Sequence, residues 1–135
     1  MTPTESNNLA TVRAYLGALE TGADAETLAR FFRADAVQIE HPNRLKPSGG
    51  RSDLAALLKR AAQVPTLVRE QQYRIHSALA QGSRVAVEAE WNAVLAAPIG
   101  ALAAGARMHA FFAMFLELDG GRIVSQVNYD CFEPF

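Results

Sequence analysis

Asn128 and Asp130 stand two residues apart near the C-terminus, in a run that alternates like a strand, and so share one of its faces. A carboxylate turned toward apolar neighbours such as Trp91, Phe112 and Met114 loses its water, and its pKa rises toward the range useful for a general base. Such a base removes a proton next to a carbonyl or activates a water. Asn128 beside it would orient a substrate oxygen or the carboxylate itself. The competing reading is structural: Asp130 accepts hydrogen bonds from Tyr15 or an arginine and satisfies buried polar groups. Its facing turns on the glycine pair before its strand. A three-residue loop of Asp119, Gly120 and Gly121 sets Asp130 with Phe112 and Met114, whereas a two-residue Gly-Gly turn sets it with His109 and Phe111. One bulge reverses either outcome.

His41, followed by Pro42 at a strand end, is a second candidate for chemistry or simply a cap on the loop. Glu40 should point the opposite way and pair with an arginine. His109 lies by parity on the outer face of its strand, and His76 alternates away from Tyr73 and Ile75 into solvent. These three histidines lack ligand spacing, so no metal site is expected. No cofactor is expected either: Gly49-Gly50 lacks the lysine and spacing of a nucleotide cradle. Tyr15 sits on the apolar face of a helix beside Leu16 and Leu19, where it serves either the core or a ligand. Trp91 on an inner strand often does both.

The elements that position these residues can be read from the pattern. Thr2, Pro3 and Glu5 form a capping box with proline at the first helical position, Leu9, Val12, Leu16 and Leu19 follow at helical spacing, and Gly22 stops the run. Asp24 caps a shorter helix carrying Leu28, Phe31 and Phe32. A short strand spans Ala36 to His41, and a Pro- and Gly-rich loop runs to Gly50. Ser52 or Asp53 opens a third helix that should stop before Pro65. From Gln71 the period becomes two, with turns at Gln81-Gly82-Ser83 and Asp119-Gly120-Gly121. Three helices followed by a meander of four long strands make an α+β layout in a single domain over residues 1–135.

The strand from Arg107 to Leu118 is apolar on both faces: Met108, Ala110, Phe112, Met114, Leu116 and Leu118 on one, Phe111, Ala113 and Phe115 on the other, with polar Arg107, His109 and Glu117 toward its ends. Helices can cover one face only. A second subunit is the natural cover for the other, so a homodimer is expected.

Composition narrows the function classes. At 135 residues, half hydrophobic and a fifth charged, the chain suits one ordinary globular domain. Its net charge of −1 supplies no field for nucleic acid or an anionic membrane, and its eleven arginines are scattered. The single cysteine, Cys131, excludes an internal disulfide. The polar N-terminus lacks a signal-peptide pattern, and the stretch Val94 to Ala106 is too short to span a membrane, so a cytoplasmic location is the default expectation.

Helix–helix–strand–helix and a curved meander resemble the nuclear transport factor 2-like superfamily, which includes ketosteroid isomerase and SnoaL-like polyketide cyclases. The residues that carry the resemblance are Tyr15-Leu16-Gly17-Ala18-Leu19, Val37-Gln38-Ile39-Glu40-His41-Pro42, Gly121-Arg122-Ile123 and the ending Asn128-Tyr129-Asp130-Cys131-Phe132-Glu133-Pro134. The resemblance implies a cone: three helices on a curved, mainly antiparallel sheet around an apolar pocket. It puts Tyr15 where the isomerases keep their oxyanion tyrosine, His41 where they keep an aspartate base, and Met114 where they keep a second oxyanion donor. One of three catalytic groups is thus kept, so steroid isomerisation by that mechanism is not expected. Asp130 resembles in position the last-strand carboxylate of some SnoaL-like cyclases and limonene epoxide hydrolases, which favours its facing Phe112 and Met114. The resemblance implies a small-molecule-binding domain, either a cofactor-independent isomerase, cyclase or hydrolase acting on an apolar carbonyl-type compound, or a non-catalytic ligand-binding or protein-interaction domain.

Overall fold

A computed structural model describes residues 1–135. Thr2 opens α1 (Pro3–Glu20): its hydroxyl accepts from the Glu5 N–H, and the Glu5 carboxylate accepts from the Thr2 N–H. Val12, Tyr15 and Leu16 are buried on one face of this helix. Asp24 caps α2 (Ala25–Ala29), which ends sooner than its apolar residues suggest, because Phe32 already belongs to β1 (Phe32–Glu40). A short strand, β2 (Gly50–Asp53), pairs back on β1 within the segment expected to be loop and helix start. Asp53 then caps α3 (Leu54–Leu67). This helix runs past Pro65, which sits two residues from its end and so disturbs only the final turn.

Four long strands follow: β3 (Val68–Gln81), β4 (Arg84–Leu95), β5 (Arg107–Asp119) and β6 (Arg122–Phe132). The sheet order is β2-β1-β6-β5-β4-β3, antiparallel throughout except where β1 runs parallel to β6. The architecture is therefore the expected α+β one, with the helices against one face of a six-stranded, mainly antiparallel sheet. On β5 every even position from Met108 to Leu118 is buried beneath the helices, while Phe111 and Phe115 on the other face are 50% and 41% exposed. No helix is long and apolar enough to cross a membrane.

Two bulges decide which side chains enter the interior. In β3, Ile75 pairs with Ala89 and Ser77 with Glu88, so His76 is an extra residue. The alternation that runs through Tyr73 and Ile75 then slips: Ala78 and Ala80 turn inward, and Leu79 is exposed. In β6, Leu118 pairs with Ile123 but Glu117 with Ser125, leaving Val124 as the extra residue. The turn between β5 and β6 is the two-residue one: Asp119 pairs with Arg122, and Gly120 and Gly121 both adopt positive φ, as such a hairpin turn requires. Taken alone, that turn would face Asp130 outward. The bulge at Val124 restores the other parity and sets Asp130 opposite Phe112 and Asn128 opposite Met114.

Candidate functional site

Between α1, α3 and the inner face of the sheet lies a cavity of about 240 Å³. Its apolar wall includes Trp91, Phe112, Met114, Phe132 and Tyr73. The Trp91 and Phe112 rings stack at 5.6 Å, and Phe132 meets both edge-on. The Trp91 indole is held by its Nε1–H, which donates to Gln71 Oε1 at 2.9 Å, while Gln71 Nε2 donates to the Leu19 carbonyl. The aromatic wall is thereby tied to the end of α1.

Polar groups enter from β1 and β6. These strands run parallel with Gln38 beside Gln126 and Glu40 beside Asn128, so four polar side chains share the inner face. A directional chain of hydrogen bonds runs through the two on β6. The buried Tyr15 hydroxyl donates to Gln126 Oε1 at 3.0 Å, and Gln126 Nε2 donates to Asn128 Oδ1 at 2.9 Å. With its oxygen occupied as an acceptor, Asn128 keeps its amide N–H groups for the cavity. Burial pushes the Tyr15 phenol up to about 12, partly opposed by the bond to Gln126, so it remains a neutral donor. The Tyr73 phenol is also raised, by burial first and then by the nearby Tyr15, Asp130 and Glu20. Arg60, from α3, donates to Ser52 Oγ and to Gln38 Oε1.

Asp130 is the outlier in this site. Its Oδ1 is buried and has no hydrogen-bond partner. Neither Tyr15, which donates to Gln126, nor any arginine hydrogen-bonds to it. Burial, reinforced by the negative charge of Glu40, raises its pKa from 3.8 to about 7. A carboxylate that titrates near neutrality in a cleft can both take and return a proton under ordinary conditions.

Tyr15, Trp91, Phe112, Met114, Asn128 and Asp130 therefore converge on one cavity. His41 does not. It follows Glu40 at the end of β1, lies outside the cavity lining, and stacks its ring on Tyr129 at 4.5 Å. Glu40 is the residue turned inward, and its Oε2 accepts from Asn43 Nδ2 at 2.7 Å; no arginine pairs with it. His109 bridges Glu90 and Glu133 away from the cavity, and His76 also bonds Glu90. Sequence reasoning missed Gln38, Glu40, Arg60, Gln71, Tyr73 and Gln126 as site residues. The available signal was the run of polar residues at every second position, Gln126-Asn128-Asp130 and Gln38-Glu40, which reads equally well as a solvated face.

Residues 12–126 match the model of the SnoaL-like domain. No curated protein matches the chain in sequence. Several solved structures share its fold. AclR, a candidate hydroxylase from Streptomyces galilaeus, superposes with a TM-score of 0.79 at 15% identity, over 96% of this chain and 82% of that one. A candidate polyketide cyclase from Xanthomonas campestris pv. campestris gives 0.76 at 23% identity, over 93% and 91%. An epoxide hydrolase of the LEH-like kind from M. tuberculosis gives 0.72 at 20% identity, over 97% and 86%. At these identities the likeness is one of fold.

Proposed function

The chain belongs to the SnoaL-like domain family, and from that premise we propose that its cavity binds an apolar, carbonyl-bearing small molecule and moves a proton on it without a cofactor. The observation that carries this reading is the buried, unpartnered Oδ1 of Asp130 in a cavity whose other walls are largely aromatic and aliphatic. Asp130 takes a proton from the carbon next to the substrate carbonyl. Negative charge then develops on the carbonyl oxygen, and the Asn128 amide, aimed by Gln126 and Tyr15, donates to it. Asp130 returns the proton at another carbon, which completes an isomerisation, or the enolate carbon attacks a second carbonyl of the same molecule, which closes a ring, and Asp130 returns its proton to the alkoxide oxygen formed there. Trp91, Phe112 and Met114 exclude water and hold the carbon skeleton. In this reading Tyr15 positions Asn128 and does not itself touch the oxyanion, and His41 plays no part in proton transfer.

Hydrogen–deuterium exchange at carbon tests the proposal without knowledge of the natural substrate. A panel of neutral cyclic ketones and aromatic polyketide-like compounds is incubated with the protein in deuterated water, and loss of the α-proton signal is followed by NMR. At least one compound should exchange faster than in buffer, and Asp130→Asn should cut that acceleration by roughly 10²-fold or more. Exchange that is equally fast with the substituted protein would remove Asp130 from the chemistry.

A further inference from the structure

Glu40 has no role in the chemistry set out above, yet it shares the cavity with the residue that carries it. We propose that Glu40 is a positioning residue for Asp130: the two carboxylates face one cavity as a pair, with Glu40 as the fixed negative charge and Asp130 as the member that binds the proton. The inference rests on the reading of Asp130 as the base and adds the device that tunes it.

Strand register brings the two together. Glu40 pairs with Asn128 across the parallel β1–β6 ladder, and Asp130 is the next residue of β6 on that face. Both line the cavity. Their environments differ in a way that decides where a proton resides. Glu40 Oε2 receives the Asn43 amide at 2.7 Å, and Asn43 is itself held rigidly. Its Oδ1 accepts from the Leu45 and Lys46 backbone N–H groups, and its Nδ2 also donates to the His41 carbonyl. The loop closes tightly on this point, because a Cβ on Gly49 would stand 2.5 Å from the Glu40 carbonyl oxygen. Asp130 Oδ1, by contrast, has no donor at all. A hydrogen bond favours the charged form of the carboxylate that accepts it, and two like charges in one desolvated space cannot both ionise freely. The Asn43 amide thus suits Glu40 to hold charge, and the missing donor leaves Asp130 as the member suited to hold the proton. Glu40 also raises the Asp130 pKa, although burial contributes more.

The other charged or titratable groups at the cavity do not substitute for Glu40. Tyr15 on α1 is neutral and committed to Gln126, and Tyr73 on β3 is neutral. Arg60 on α3 is bound to Ser52 and Gln38, while β4 and β5 present only Trp91, Phe112 and Met114. A proton lifted from substrate is thus held on Asp130 beside a fixed negative charge until it is returned. A pair that already carries this charge also selects a neutral ligand over a carboxylate.

The test needs no substrate. Side-chain carboxyl carbons of Glu40 and Asp130 are followed by ¹³C NMR from pH 4 to 9 in the intact protein and in Glu40→Gln, which keeps an oxygen to accept from Asn43. The Asp130 midpoint should fall by about one pH unit when the Glu40 charge is removed. A merely structural role for Glu40 would change the melting temperature and leave that midpoint in place, and an unmoved midpoint would overturn the proposal. Should Glu40→Gln not fold, the reciprocal measurement decides: the Glu40 carbon should show an inflection at the Asp130 midpoint that disappears in Asp130→Asn. Its persistence there, or its absence from the unsubstituted protein, would be equally fatal. Because these titrations contain no ligand, their outcome is separate from that of the exchange assay.

Discussion

Asp130→Asn should make the protein more stable at neutral pH while it cuts the chemistry by roughly 10²-fold or more. The gap between the ordinary carboxyl value of 3.8 and about 7 corresponds to about 4 kcal/mol of preference for the neutral form in the folded state. The sign follows from linkage. A carboxyl whose folded pKa is raised holds its proton longer folded than unfolded, so its ionisation weakens the fold. That cost is absent below pH 3.8, grows through the window above it, and is complete above about pH 7. Asparagine keeps the shape without the charge. The unpartnered Oδ1 is common to both side chains and cancels, but the NH2 that replaces the other oxygen brings donors without an acceptor, a cost of about 1–3 kcal/mol, so the net gain at pH 8 should be about 1–3 kcal/mol. In a domain of this size that is roughly 3–10 °C in melting temperature. Thermal melts of both proteins at half-unit intervals from pH 4.5 to 8.5 should therefore diverge as pH rises and level off above pH 7. A substituted protein that is less stable by a constant amount across the range would show that Asp130 is a satisfied structural group, and the base assignment would fall with it.

Four further outcomes are expected. Planar apolar ketones should raise the melting temperature by mass action on the folded state and alter Trp91 fluorescence, and Trp91→Ala should weaken the stabilisation; a panel that shifts nothing would mean a cavity closed to ligands. Gln126→Leu strands the buried Tyr15 hydroxyl and releases Asn128, so it should cost about 1–3 kcal/mol in chemical denaturation and reduce any turnover without moving the Asp130 midpoint. Phe111, Phe115 and Tyr129 form an exposed apolar strip on the outer face of the sheet, so light scattering at micromolar concentration should give a dimer mass that Phe111→Glu with Phe115→Lys returns to a monomer; a monomeric parent would refute this. The His109 pKa is raised, chiefly by its bond to Glu133, so the stability it adds is present below its unfolded value near 6.5 and lost as pH climbs past the raised one; His109→Gln should flatten that part of the melting profile.

Much of the fold was legible because local chemistry and long-range packing agree. The Thr2–Glu5 capping box, the Asp24 and Asp53 caps and the glycine turns appear where the residues called for them. The elements that departed were decided by partners remote in sequence. Residues 50–53 become a strand only because β1 offers them an edge, and Phe32 leaves the second helix because Ile123 waits to pair with it. The bulge at Val124 belongs to the same class. A Gly-Gly turn argues for the outward parity of Asp130, and nothing local announces the extra residue that reverses it; the family resemblance pointed to the right face through a different turn.

The inversion on β1 has a physical cause that reaches beyond this strand. Val37 and Ile39 alternate with Gln38 and Glu40, and hydrophobic patterning assigns the apolar pair, with His41 after them, to the interior. The structure does the reverse: Gln38 is buried, Glu40 lines the cavity, and Val37 and Ile39 are half-buried on the outer face. On β6 the same exchange holds, with Gln126, Asn128 and Asp130 inside and Val127, Tyr129 and Cys131 outside. A strand that carries a polar site must spend its inner face on groups that burial alone would expel, and its outer face is then free to be apolar. On β4 and β5, which supply wall and no chemistry, the inner positions are apolar and the pattern reads correctly. On β3 the pattern slips only past the bulge at His76, whereas it is inverted on β1 and β6, the strands that carry Gln38, Glu40, Asn128 and Asp130, and the apolar outer faces left by that exchange meet Phe115 through Tyr129 to extend the strip on which a second copy is expected to pack.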